Sequence, residues 1–297
     1  MRITNYLTAA CFLLASAPSR AAEPKAPLAP DITGGAERGE ADAQYQLARA
    51  YLRGEGVPKD VNKAFALMKA AAAQGHANAI GGIGYFHSVG VAVEKDEAQA
   101  SAWFRKGAEK GSAKAQLNLG KYLLEGKGGS GGEPAQLREE GLEWIKKAAD
   151  QGLPEAALAY GSIFYFGDHE VTKDYGKAVP YFKRAAEQGS RDAQNFLGVM
   201  NQLGLGMAVD KTAAQRWLRS AALQNHLKAQ ANLGNLLNPV AENRATRIEA
   251  LAWLVISSDQ HEVTAEKSLR DTLPGLKGGD LEAAKARAEE LRKLIKP

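Results

Sequence analysis

The residues of this 297-residue chain that could do chemistry are five histidines, one cysteine, a glycine-spaced loop and 34 carboxylates. A zinc centre needs several of these ligands brought together at short, regular spacing, as in an H-E-x-x-H helix. Here His76, His87, His169, His226 and His261 are scattered. His169-Glu170 and His261-Glu262 each begin an H-E pair, but position 173 is lysine and position 265 alanine, so the second histidine is missing both times. Gly126, Gly128 and Gly131 fit G-x-G-x-x-G. That fingerprint cradles a dinucleotide only when a strand precedes it within a βαβ unit, and the residues before Gly126 read as a helix, so a loop is expected. Neither a P-loop motif nor a G-x-S-x-G elbow occurs. The carboxylates fall at helix caps or opposite bases. No catalytic residue, cofactor site or metal site is therefore expected, and a hydrolase with an unrecognised site stands only as an alternative.

The elements that position these residues recur. An alanine opens a helical pattern at Ala43, Ala79, Ala115, Ala156, Ala193 and Ala229, in steps of 36, 36, 41, 37 and 36 residues. Four residues later comes an apolar residue followed by a small one: Leu47-Ala48, Ile83-Gly84, Leu119-Gly120, Tyr160-Gly161, Leu197-Gly198 and Leu233-Gly234. Glycine inside a helix costs about 1 kcal/mol against alanine, so its return in one column predicts a close helix crossing. A turn follows. Asp60, Asp96, Asp174, Asp210 and Thr246 then stand four residues before a second alanine and predict N-caps. The bulky column Leu67, Trp103, Trp144, Tyr181, Trp217 and Trp253 leads to paired small residues, and this second helix ends at Gly75, Gly111, Gly152, Gly189 or Asn225.

Two short amphipathic helices joined by a turn cannot bury their apolar stripes alone, so the copies must stack. The columns resemble the Sel1-like repeat family, a relative of the tetratricopeptide repeats with a longer unit, over roughly residues 36–262. The resemblance implies an all-α fold, an α-solenoid wound as a right-handed superhelix of about six helix-turn-helix repeats. The sixth copy lacks the turn glycines around Asn238-Pro239.

The flanks read differently. Residues 1–21 carry Arg2, an apolar run from Tyr6 to Ala17 and small residues at Ser19 and Ala21, the pattern of a cleaved export signal. Its twelve apolar residues are too few to span a bilayer, so no stable membrane insertion is expected after cleavage. Cys11 raises a lipoprotein signal as the rival, but Phe12-Leu13-Leu14 carries the apolar run past it. Residues 22–35, with Pro24, Pro27 and Pro30, predict an extended tether. Residues 263–297 predict C-terminal capping helices, the last presenting Leu281, Ala284, Ala288, Leu291 and Ile295 on one face. Removal of residues 1–21 leaves 36 basic and 34 acidic side chains, too even a balance for a nucleic-acid partner.

What is left is a surface. If Ala43, Leu47 and Tyr51 point into the stack, then Tyr45, Arg49 and Arg53 line the concave groove, with Tyr85, Lys121, Glu125, Tyr165, Gln202 and Asn235 from later copies. Aromatic, basic and amide groups together suit a protein or peptide partner. The expected function is a periplasmic or secreted protein–protein interaction scaffold, as the family resemblance implies. A binder of peptidoglycan or exported polysaccharide is the alternative.

Overall fold

The computed structural model describes residues 30–127, 132–238 and 240–296, and among them finds fifteen α-helices and no strand. The export signal, most of the tether, and Gly128 and Gly131 lie outside the described residues. Helix α1 (Pro30–Glu37) corrects one expectation: the last residues of the stretch read as a tether are helical, and Ala36 is buried.

Six hairpins follow. They pair α2 (Ala41–Arg53) with α3 (Val61–Ala73), α4 (Ala77–Val89) with α5 (Glu97–Glu109), and α6 (Ala113–Leu124) with α7 (Pro134–Asp150). The fourth to sixth are α8 (Pro154–Phe166) and α9 (Tyr175–Glu187), α10 (Arg191–Leu203) and α11 (Lys211–Ala222), α12 (Leu227–Leu237) and α13 (Arg244–Ser258). The chain divides within α8 into two compact units, one ending at Tyr160 and the other starting at Gly161. In each, hairpins stack in chain order as an α-solenoid.

The cap column works as the sequence implies. Asp60, Asp96, Asp174 and Asp210 accept from backbone N–H groups of the turn they open. In the sixth copy, however, the cap is Asn243, whose Oδ1 accepts from Thr246 N–H at 3.1 Å. Thr246 is thus the residue being capped.

The small columns are close crossings. A Cβ on Gly120 would lie 2.5 Å from Ile145 Cγ1 and 2.6 Å from the Gly141 carbonyl, so α6 and α7 touch backbone to backbone. Beside these crossings sit Phe86, Phe104 and Phe182, each almost fully buried and each worth about 1.5–3 kcal/mol of hydrophobic stabilisation.

Glutamine pairs tie the start of a hairpin to its end, and ion pairs stitch one hairpin to the next. Gln44, Gln116 and Gln194 accept from Gln74, Gln151 and Gln224 at 2.9, 2.7 and 2.8 Å. One such stitch joins Arg105 to Glu140, which also receives the Trp144 indole N–H at 3.1 Å. Arg219, Glu249 and Trp253 repeat that arrangement in the second unit, where Arg287 adds a further bond to Glu249 at 2.8 Å. Helices α14 (Val263–Thr272) and α15 (Asp280–Arg292) close the array. Ala288 and Leu291 of α15 pack on Trp253 and Ile256, and buried Asp280 accepts from Arg247 at 2.7 Å and Arg244 at 3.0 Å.

Candidate binding site

In the second, third and sixth hairpins the first helix begins with a side chain that caps it and also reaches back one repeat. Ser112 Oγ accepts from Ala115 N–H and donates to Asn78 Oδ1 at 2.7 Å. His76 caps Ala79 N–H through Nδ1 while its Nε2 lies 3.0 Å from Asp42. His226 does the same for Ala229 and Asp192, at 3.2 Å, and that bond holds the Asp192 carboxyl below the usual range. The histidines at 76 and 226 are therefore structural. Among the described residues no group of three metal-ligating side chains is gathered.

At the fourth hairpin the pattern breaks. The cap position holds Leu153, which has no side-chain acceptor, and Lys114, at the position of Asp42 and Asn78, enters no ion pair among the described residues. Both border a cavity of about 120 Å³ in the first unit. Tyr45 and Arg49 of α2, Asn78 and Tyr85 of α4, Lys114 and Asn118 of α6, and Glu155 of α8 supply its polar lining, and Leu52, Met68 and Leu117 its apolar part.

The polar lining is under-satisfied. Arg49 Nε and Glu155 Oε2 are shielded from solvent without a hydrogen-bond partner. Burial, with the charges of Arg49 and Arg53, pushes the Lys114 pKa down against the opposing pull of Glu155. Arg49 lies 5.7 Å from the Tyr45 ring centre, and that ring stacks on His76 at 4.6 Å. Burial raises the hydroxyl pKa of both Tyr45 and Tyr85, so both rings present neutral O–H groups.

Of the nine residues expected to line a groove, the cavity unites Tyr45, Arg49 and Tyr85. The others have different surroundings. Arg53 pairs with Glu55 at 3.7 Å and Glu125 with Lys127 at 2.9 Å. Tyr165 belongs to an aromatic cluster with Tyr175, Phe182 and Phe196, while Gln202 and Asn235 are half-buried. Lys121 corrects its reading outright: it is 2% exposed and its Nζ has no partner among the described residues. Tyr45 is likewise buried, at 8%. First helices are covered on both flanks, so a residue opposite the apolar stripe is not thereby exposed.

Lys114, Asn118, Asn78 and Glu155 were not anticipated. The signal for Lys114, Asn78 and Glu155 is the residue just before each opening alanine, which is polar in all six copies: Asp42, Asn78, Lys114, Glu155, Asp192 and Lys228.

A model of the Sel1 repeat matches residues 41–76, 77–112, 113–153, 154–190 and 191–226. The crystal structure of a Sel1 repeat protein from Oxalobacter formigenes aligns over 78% of this chain and 91% of its own, with a TM-score of 0.64 and 27% identity. An uncharacterized protein of Neisseria meningitidis is 29% identical over 78% of this chain and 46% of its own length. An exopolysaccharide production negative regulator of Rhizobium leguminosarum is 28% identical over 44% of this chain and 52% of its own. The chain spans about half, or less, of the length of the curated relatives it matches.

Proposed function

The chain belongs to the Sel1 repeat family, whose members generally serve as protein–protein interaction scaffolds, and on that premise we propose that it is a non-catalytic, exported adaptor gripping a protein partner on the first helices of its N-terminal repeats. One observation carries the placement: Arg49 and Glu155, each with a shielded polar atom that has no hydrogen-bond partner, border one cavity with Tyr45 and Tyr85. Orphaned buried polar atoms cost stability, and such a cost is offset when a ligand supplies the missing partner. Tyrosine and arginine are also the residue types that most often anchor interfaces. Export rests on the apolar run from Tyr6 to Ala17 and the small residues after it. No described helix is long and apolar enough to cross a membrane.

The test places a photo-reactive amino acid at Asn118, beside the cavity, or at Lys106, on a second helix. Irradiation of intact cells is expected to give a discrete protein adduct from position 118 and none from 106. Adducts from 106 alone would move the interface to the second helices. A second reading, a binder of peptidoglycan or exported polysaccharide, draws on the two tyrosine rings at the cavity. Co-sedimentation with purified peptidoglycan separates the two.

A further inference from the structure

The cavity of the first unit has a chemistry more specific than a general protein surface. Arg49 and Lys114 give it two cations against the single carboxylate of Glu155, so its lining carries net positive charge. Lys114 and Glu155 border the same space and form no ion pair with each other. An occupant that complements the lining brings an anion to Arg49 and Lys114 and a hydrogen-bond donor to the Glu155 carboxylate. Leu52, Met68 and Leu117 require an apolar group beside both.

We propose that this cavity takes the C-terminal residue of a protein partner: its α-carboxylate between Arg49 and Lys114, its backbone N–H donating to Glu155, and its apolar side chain against Leu52, Met68 and Leu117. A chain end is the unit of a polypeptide that holds one carboxylate, one N–H and one side chain on a single carbon. An internal segment brings no carboxylate at that spacing. A uronate-bearing glycan brings the carboxylate but has no apolar group for the leucines, and its repeated charges meet Glu155. The size agrees, because a cavity of about 120 Å³ has room for one side chain and its terminus.

The inference rests on the scaffold reading of the same site, and the experiment separates the two. N-acetyl-leucine, N-acetyl-leucinamide, N-acetyl-N-methyl-leucine and glucuronate are titrated into the full chain, following backbone amide NMR signals of residues 112–118. Saturable binding of N-acetyl-leucine with a Kd roughly in the millimolar range is expected for so small a ligand. The amide should bind at least about tenfold more weakly, as a lost charge-assisted contact implies. Arg49→Met and Lys114→Met should each abolish the preference for acid over amide. N-methylation should weaken binding to the native chain but not to Glu155→Ala.

Equal affinity for acid and amide, tighter binding of glucuronate, or no saturation overturns the proposal with no variant needed. A protein adduct from position 118 that persists unchanged in Arg49→Met/Lys114→Met would keep the scaffold and refute the chain-end site. N-acetyl-leucine binding without any protein adduct would keep the end-group site and refute the scaffold.

Discussion

Lys114 and Leu153 border one cavity from two positions that, in other repeats, hold a hydrogen-bonded pair. Where Asn78 meets Ser112 and Asp192 meets His226, the polar residue is tied down by the next cap. Leucine cannot do this, so Lys114 is left with burial and two neighbouring arginines against it and Glu155 alone in its favour. Lys114→Met is accordingly expected to keep or raise the melting temperature while weakening an anionic ligand. Groups kept for binding are often neutral or unfavourable for folding. A lowered melting temperature would show that the ammonium stabilises the repeat.

Glycine should matter by place. Gly120→Ala is expected to cost about 1–3 kcal/mol by overpacking, because its Cβ would meet both Ile145 and the Gly141 carbonyl of α7. Gly176 lies near the start of α9, exposed, with an Asp174 oxygen 3.4 Å away as the nearest obstacle. Gly176→Ala should therefore stabilise, by about 0.5–1 kcal/mol. Urea denaturation of both variants checks the opposite signs.

The cap of the sixth repeat separates two adjacent candidates. Asn243→Ala is expected to cost about 1 kcal/mol through loss of its bond to Thr246 N–H, and Thr246→Ala clearly less. Thermal melts that rank them the other way would restore Thr246 as the cap.

How much of this was legible in the chain follows from periodicity. The hairpins, close crossings and aspartate caps repeat at fixed offsets, so each copy corroborates the others. Thr246 reads as a cap in the sequence because the sixth turn loses its glycines and Asn243 sits three residues early. Tyr45 and Lys121 read as groove residues because one apolar stripe implies one exposed face, whereas their helices are covered on two flanks. Lys114 and Glu155 do not stand out in the sequence for another reason. Their importance lies in the absence of a partner, and a partner from the next repeat is visible only once the repeats are stacked.

Acid should act on the Glu249 stitch. Burial alone would raise this carboxyl, but the Arg287 hydrogen bond and the charges of Arg219 and Arg287 outweigh it, so its pKa lies below the ordinary value. A carboxylate depressed in the folded state contributes stability above its unfolded pKa and loses it as the pH falls through the folded one. The melting temperature of the native chain is thus expected to fall from near pH 4 downward, and Glu249→Gln to show a shallower fall with a lower starting value. Parallel pH profiles would contradict the assignment.

If the first helices of the N-terminal repeats grip the partner, affinity for the captured protein depends on their side chains. Arg49 and Tyr85 border the cavity, whereas Lys69 and Lys106 lie over Phe65 and Trp103 on second helices. Interface anchors of the arginine and tyrosine type cost about 2 kcal/mol or more when truncated. The double variant Arg49→Ala/Tyr85→Ala should raise the Kd at least about tenfold with little change in melting temperature, and Lys69→Ala/Lys106→Ala should leave it unaltered. An unaltered Kd for the first pair, with loss of binding for the second, would set the partner across the second helices instead.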